Sequence, residues 1–352
     1  MKYFFDYLLE IESRCIYGEI NENVDLTIMV PTYMRNDLLS KTVKSILNQV
    51  PPKHLLYQVI IVSNDPSFKV QDLSVSLPPE LFCVYVNNEN LGMVGNMNRC
   101  VKLSKGKYVA FLQDDDLLLP NYLIEIENII DRGVFNKIGC VVPNSYSFYD
   151  RNNEGIFGRK AIMRTKVKSL ISWIFRSCWR IPEFQKVDEL VCAEAAYNAF
   201  GSGPSLGITF RRDALISSCG FNPNIPYAFD LVFFHRFSND FGTFLYNKYL
   251  SIIRMSYSSS NSAKVQEDFL KNADLYLLAK TKAKSNLLKK YENEYIRFSV
   301  ENKCSEVAEN HRYDYKKNNY KYFKYRIIRM YKLMTSGIYR RKLLPFNLYD
   351  LL

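Results

Sequence analysis

The sequence predicts an α/β protein built on a mostly parallel sheet. Three observations carry that reading. Short apolar runs alternate with segments of helical spacing through residues 25–150. The order is strand, helix, strand, strand, helix, strand. Each of the first four apolar runs also ends in a polar cluster: "TYMRND", "SND", "NNEN" and "QDDD". In open α/β sheets, ligands bind at the carboxyl ends of strands.

The elements follow in order. Residues 25–33, "DLTIMVPTY", read as a buried strand ending at Pro31. "NDLLSKTVKSILNQ" has helical spacing at Leu38, Leu39, Val43, Ile46 and Leu47, with Asn36 or Asp37 as cap and Pro51-Pro52 beyond its end. Tyr57–Val62 is a second strand, and "FCVYVNN" a third. "GMVGNMNRCVKLSKG" is a helix with Gly106 just after it, and "KYVAFL" is a fourth strand. "PNYLIEIENIIDRG" reads as a helix and "IGCVVPNSYSFY" as a strand. Residues 151–187 are basic and irregular and hold both tryptophans, Trp173 and Trp179. "GSGPSLGITFRRDAL" is a glycine-broken loop entering a strand, and "CGFNPNIPYAFDLVFFHRF" a loop entering a helix. Three regions result: an N-terminal helical segment over 1–24, a main domain over 25–262, and a helical, basic region over 263–352.

Charge is uneven along the chain. The net charge is +11, and residues 271–352 carry 19 Lys and Arg against 8 Asp and Glu, which leaves 28 of each sign in residues 1–270. A neutral body with a basic tail fits a catalytic or binding domain that meets an anionic surface. The eight cysteines form no C-x-x-C pair, which argues against a zinc or thioredoxin-like motif. They read as reduced thiols of a cytosolic protein. The N-terminus carries Asp6, Glu10 and Glu12 and lacks the pattern of a signal peptide, and no apolar run is long enough to span a membrane.

Asp114, Asp115 and Asp116 stand together after the fourth strand. Like charges this close repel unless a cation or hydrogen-bond donors compensate. A solvated turn is one reading and a metal site the other. Convergence with the other three strand-end clusters favours a site in a cleft.

The segments "LTIMVPTYMRNDLLSKTVKSILNQ", "VIIVSNDPS" and "ENLGMVGNMNRCVKLSKGKYVAFLQDDDLLLPNYL", then "GPSLGITFRRDALISSCGFN" and "YAFDLVFFHR", resemble family 2 glycosyltransferases. The likeness spans roughly residues 25–255. It implies a GT-A fold, a Rossmann-like and mostly parallel sheet flanked by helices, here with a helical basic C-terminal extension. It also implies a nucleotide-sugar donor and Mn²⁺ or Mg²⁺. By this resemblance Asp115 is the metal ligand, with Asp114 on the metal or the ribose and Asp116 in support. Tyr33 lies against the base, with Pro31 and Thr32 presenting backbone groups. Asn64 stands where the family usually has Asp, and Asn90, Gly92 and Asn98 approach the nucleotide. Met97 replaces a common Arg, and Arg35 either supplies the missing phosphate contact or is a solvated helix-start arginine. The pair Phe229-Asp230 stands where the family shows Glu-Asp, which makes Asp230 the expected general base of an inverting transfer, with Asp188, Glu189 and Glu194 as alternative bases; the bland reading of Asp230 is a helix N-cap.

Residues 316–346 interleave Lys and Arg with Tyr, Phe, Ile and Leu. That composition suits a helix on an anionic membrane surface or a cap on the main domain, and no nucleic-acid motif accompanies it. The expectation is a hexosyltransferase-type enzyme, peripheral on the cytoplasmic face of the membrane. It would use a UDP-sugar and a lipid-linked oligosaccharide acceptor in bacterial surface-polysaccharide assembly, as O-antigen or capsule. A degenerate, non-catalytic binding module and a nucleotidyltransferase are the alternatives.

Overall fold

The computed structural model of the chain describes residues 10–148, 190–191, 207–223 and 229–254. The chain divides into two compact units; the described residues up to Tyr146 and from 190 to Ile253 lie in the first. The expected basic C-terminal region and the tryptophan-bearing segment fall outside the described residues.

The strand β2 (Leu26–Thr32) is apolar on both faces, and six of its seven residues are buried. That is the signature of a strand covered on both sides. The strands β3 (Tyr57–Ser63) and β5 (Tyr108–Phe111) flank it in parallel, and β4 (Phe82–Asn87) lies parallel beyond β3. The strand β1 (Ser13–Tyr17) closes that edge antiparallel to β4. Beyond β5 the sheet turns antiparallel. There β9 (Ile208–Arg211) pairs with β5, and β7 (Cys140–Phe148) pairs with β9. Next comes β10 (Thr243–Arg254), with β6 (Leu117–Leu118) and β8 (Leu190–Val191) both antiparallel to it. Among the described residues these ten strands form one sheet.

Two differences from the sequence reading stand out. Ser13–Tyr17, inside a segment expected to be helical, is a strand. The open edge of β4 offers unpaired backbone groups, and Arg99 of helix α2 (Gly92–Leu103) holds β1 there through Ser13 Oγ and the Ile11 carbonyl. Helix α1 (Asn36–Leu47) is preceded by Arg35 at its N-cap, with no capping bond from a side chain. Asn36 and Asp37 are already inside the helix, where Asp37 complements the positive end of its dipole.

Helix α1 packs Leu39, Val43 and Ile46 against Leu26, Ile28 and Val30 of β2 and their neighbours in one apolar core. Gly106 lets the chain re-enter the sheet: an added Cβ would lie 2.6 Å from the Thr27 backbone nitrogen, a close approach only glycine permits. Helix α4 (Arg212–Ser217) follows β9 directly. Helix α5 (Phe229–Phe241) carries a phenylalanine every fourth residue, one stripe of a helix. Phe233 and Phe237 meet Phe210 of β9 at 6.0 and 5.0 Å between ring centres, and Phe229 meets Phe221 at 5.7 Å.

Helix α3 (Tyr122–Asp131) is tied to the loop before β3 by Glu127, which is buried. Its carboxylate accepts backbone N–H bonds from Lys53, His54 and Leu55 at 3.0, 2.7 and 2.9 Å. Burial alone would raise its pKa, but these three donors outweigh burial and hold it below the ordinary 4.5. Glu127→Gln should therefore lose about 1–3 kcal/mol of stability at neutral pH, because buried donors lose an ionised acceptor. The sign in pH follows from the lowered folded pKa. The native advantage is present above the unfolded pKa near 4.5 and is lost as pH falls through the folded value. Urea unfolding of both chains across this range checks it; a difference independent of pH would count against it.

Candidate functional site

Strand β5 ends at Phe111, and the chain runs through Leu112 and Gln113 into the three aspartates. Asp114, Asp115 and Asp116 are 6%, 3% and 2% exposed. A solvated turn is thereby excluded, since such a turn would leave its carboxylates in water. Buried charges need partners, and the polar cluster after β2 supplies them. Thr32 Oγ1 donates to Asp114 Oδ2 at 2.8 Å, and the Tyr33 N–H donates to the same oxygen at 3.4 Å. Arg35 Nη1 lies 3.3 Å from Asp114 Oδ1 and 2.8 Å from Asp115 Oδ2. Below them Thr42 of α1 places its hydroxyl 2.9 Å from the Asp114 carbonyl oxygen and 2.8 Å from that of Asp116.

Met34 makes this geometry possible. Its φ is +55°, the left-handed region that few non-glycine residues enter. The turn lets Tyr33 N–H and the Arg35 side chain converge on one carboxylate from either side. It leaves the Tyr33 and Met34 side chains outside, 46% and 69% exposed. Backbone strain of this kind gathers at functional sites.

Electrostatics follow from this arrangement. Burial pushes the Asp114 carboxyl up from 3.8 to about 6, and the Asp115 charge adds to the rise. The Arg35 guanidinium, the Thr32 hydroxyl and the Tyr33 N–H all pull it down but do not overcome burial.

The other expected residues divide into two groups. Asn64 is buried, and its side chain faces the protein. Its Nδ2 donates to the Gly92 carbonyl at 2.9 Å, while its Oδ1 accepts from Asn87 Nδ2 at 2.8 Å and from Leu91 N–H at 3.2 Å. Asn87 also donates to Asn96, whose amide donates to the Val62 carbonyl. This asparagine network ties the ends of β3 and β4 to the start of α2. Asn90 is exposed and accepts from Gly92 N–H at 2.8 Å, an Asx-type turn into the helix. Gly92 has φ +68° and open space where a Cβ would stand. Pro31 is partly buried in β2.

Asn98 lies elsewhere. Its amide makes a reciprocal pair with the Phe221 backbone, both bonds 2.8 Å. Phe221 in turn packs on Phe229 and Phe233 of α5. Asp230 sits in the first turn of that helix, half-buried. Asn98 thus anchors the chain that leads to Asp230. Sequence reasoning missed Thr42, Asn87 and Asn96, which look like ordinary helix and strand-end residues. It missed the Met34 turn as well, because methionine carries no turn signal.

Two carboxylate oxygens that both face one guanidinium nitrogen form a hard oxygen donor set. That fits Mg²⁺ or Mn²⁺ held by one or two carboxylates together with substrate phosphates. Among the described residues, no group of three or more His, Cys, Asp or Glu gathers to hold a metal. The parallel β4-β3-β2-β5 half, the acidic pair at the end of β5 and the antiparallel strands beyond it are the arrangement of a GT-A fold.

Residues 27–180 match the family model described as Glycosyl transferase family 2. A Campylobacter jejuni relative named GalNAc(5)-diNAcBac-PP-undecaprenol beta-1,3-glucosyltransferase is 31% identical over 121 residues, 33% of this chain and 38% of its own length. The succinoglycan biosynthesis protein ExoM of Rhizobium meliloti is 29% identical over 110 residues, 30% of this chain and 35% of its own length. An uncharacterized glycosyltransferase of Rickettsia bellii is 28% identical over 105 residues, 30% of this chain and 15% of its own length. The chain therefore spans well under half of these curated relatives. Among solved structures, S. aureus TarS 1-349 in complex with UDP-GlcNAc has a TM-score of 0.52 at 15% identity, covering 79% of this chain and 72% of that one. The mannosyltransferase PcManGT of Pyrobaculum calidifontis, in complex with GDP-Man and Mn²⁺, has a TM-score of 0.51 at 12% identity and covers 90% of each chain. These likenesses show the fold. No helix among the described residues is long and apolar enough to cross a membrane.

The raised Asp114 pKa gives a test. A carboxyl with a raised folded pKa destabilises the ligand-free fold once it ionises, so its favourable contribution is present below the unfolded value of 3.8 and lost as pH rises through about 6. Asp114→Asn should stabilise the ligand-free chain at pH above about 6, by at most ~3 kcal/mol at ~1.4 kcal/mol per pKa unit. The gain should shrink toward zero in more acidic buffer. Thermal melting of both chains across this range reads it, and a variant less stable at neutral pH would contradict the assignment.

Proposed function

We propose that the chain transfers a sugar from a nucleoside diphosphate sugar, most simply a UDP-sugar, to a hydroxyl of a glycan acceptor. The observation that carries the reading is the buried Asp114–Asp115 pair at the carboxyl end of β5, its oxygens turned toward a single cation. When bound, a divalent cation would neutralise the charge that develops on the diphosphate leaving group. Asp115 and Asp114 would hold it. The exposed Tyr33 ring offers a face for the base. Asn64 has its amide and its carbonyl engaged within the fold, so base contacts would come from Tyr33 and backbone groups near Pro31 and Thr32 rather than from the Asn64 side chain.

For the transfer step, Asp230 would take the proton of the acceptor hydroxyl as that oxygen attacks the anomeric carbon. The bond to the diphosphate breaks on the opposite face, and the configuration inverts. The Asn98–Phe221–Phe229 chain holds the helix that carries Asp230.

A lipid-linked acceptor is supported by the name of the Campylobacter relative, which contains a polyprenyl diphosphate glycan. The basic, aromatic composition of residues 316–346 would seat the chain at an anionic membrane surface, on the cytoplasmic face where such acceptors are built. Polysaccharide assembly, of the O-antigen or capsule kind, is the matching process.

Thermal-shift titration with UDP, GDP, CDP and dTDP, each with and without Mn²⁺, tests the donor site. One diphosphate should raise the melting temperature in a Mn²⁺-dependent way, and Asp115→Ala should abolish the shift. Asp230→Asn should keep that shift while losing about 10²–10⁴-fold in transfer rate. Full activity in both variants would rule out these roles.

A further inference from the structure

We propose that Arg35 is the resident counter-cation of the acidic pair, displaced when the divalent cation binds and then turned onto the donor's diphosphate. The inference rests on the donor-site reading above and assigns Arg35 two successive partners.

Geometry comes first. Arg35 Nη1 bridges the two carboxylates, 2.8 Å from Asp115 Oδ2 and 3.3 Å from Asp114 Oδ1. A cation bound to these oxygens would sit at about 2.0–2.1 Å for Mg²⁺. The guanidinium and the metal would thus fill the same wedge between the same atoms. Two positive charges cannot share it, so binding of one requires departure of the other.

Burial supports the direction of movement. The Asp114 and Asp115 side chains are 8% and 4% exposed, but the Arg35 side chain is 27% exposed. The guanidinium approaches from the open side of the site. Arg35 also lies outside the regular turns of α1, at its N-cap. A long side chain anchored there can swing without moving the helix.

Its second partner follows from chemistry. An arginine released from a carboxylate pair beside a diphosphate gains paired N–H bonds to phosphate oxygens. Met97, the α2 residue where the family resemblance leads one to expect arginine, is buried and uncharged. Position 97 thus offers the diphosphate no positive charge, and Arg35 would supply it. Before the donor arrives, the same arginine keeps two buried carboxylates compensated.

The test separates two affinities that a purely structural arginine would not move in opposite directions. Full-length native, Arg35→Ala and Arg35→Lys chains are titrated with Mn²⁺ alone, with free Mn²⁺ followed by electron paramagnetic resonance. They are then titrated with UDP at saturating Mn²⁺. Removing the competing charge should tighten Mn²⁺ alone by about tenfold and weaken UDP by about tenfold, the usual scale for a partly buried ion pair gained or lost. Arg35→Lys keeps the charge and should stay near native for Mn²⁺. Should Arg35→Ala fail to fold, Arg35→Gln carries the same comparison. Unchanged or weaker Mn²⁺ binding in the neutral variant overturns the proposal. Asp115→Ala, run in parallel, locates any failure. If native chain binds Mn²⁺ with UDP and Asp115→Ala does not, a flat Arg35 result removes this inference alone. If the native chain binds neither, the donor-site reading falls with it.

Discussion

Two carboxylates held out of water at the end of β5 set the terms for everything around them. An ionised aspartate in a dry site needs charge or hydrogen bonds nearby. Asp114 and Asp115 draw both from one short stretch, Thr32 to Arg35, at the end of the adjacent parallel strand. That stretch must turn sharply to reach them, and the left-handed Met34 is where the turn is made. Thr42 then fixes the backbone carbonyls beneath the carboxylates. The compensation is incomplete, since burial still raises the Asp114 pKa to about 6.

The rest of the fold holds that arrangement rigid. Parallel pairing of β2 with β3 and β5 is continuous and buried, so the strand ends cannot drift relative to one another. The asparagine network seals the ends of β3 and β4 against α2 without any charge. Amides can do this because each supplies both donors and an acceptor. On the other side of β5 the glue is aromatic. Phe111, the last residue of β5, packs edge-on against Phe210 and Phe221 at 5.7 and 5.5 Å. Phe210 and Phe221 carry helix α5. The strand that delivers the aspartates is thereby the strand that seats the helix bearing Asp230.

The sequence made some of this legible and hid the rest for physical reasons. Strands β2 to β5 and helices α1 to α3 were readable because periodicity and apolar runs are local signals. The acidic cluster was readable because three aspartates after an apolar run are rare in a buried context. The edge strand β1 was not, since its strand state depends on pairing with β4, about seventy residues away. Asn64 shows the same limit within the site. Its position after β3 suggested a ligand contact, but its side chain is claimed by Asn87, Leu91 and Gly92. Residue type and strand-end placement locate a site; they do not say which way an amide turns. Asn98 is the converse case. Its partner Phe221 lies 123 residues downstream, so nothing local could reveal that it braces the second half of the domain.

The inward turn of Asn64 also shifts where base selectivity would arise. A carboxylate at that place could accept a hydrogen bond from a pyrimidine ring N–H. An asparagine already engaged through both ends of its amide has no such freedom. The groups left to meet a base are the exposed Tyr33 ring and the backbone around it, held by the Asp114 bond to the Tyr33 N–H. A ring face discriminates weakly among bases, because every base has a π-face. On the proposed reading, the diphosphate end of the donor, met by Arg35 and by a cation that the two aspartates would hold, would contribute more of the binding than the base. Choice of nucleotide would then depend on backbone contacts, and choice of sugar on the acceptor-side elements that follow β9.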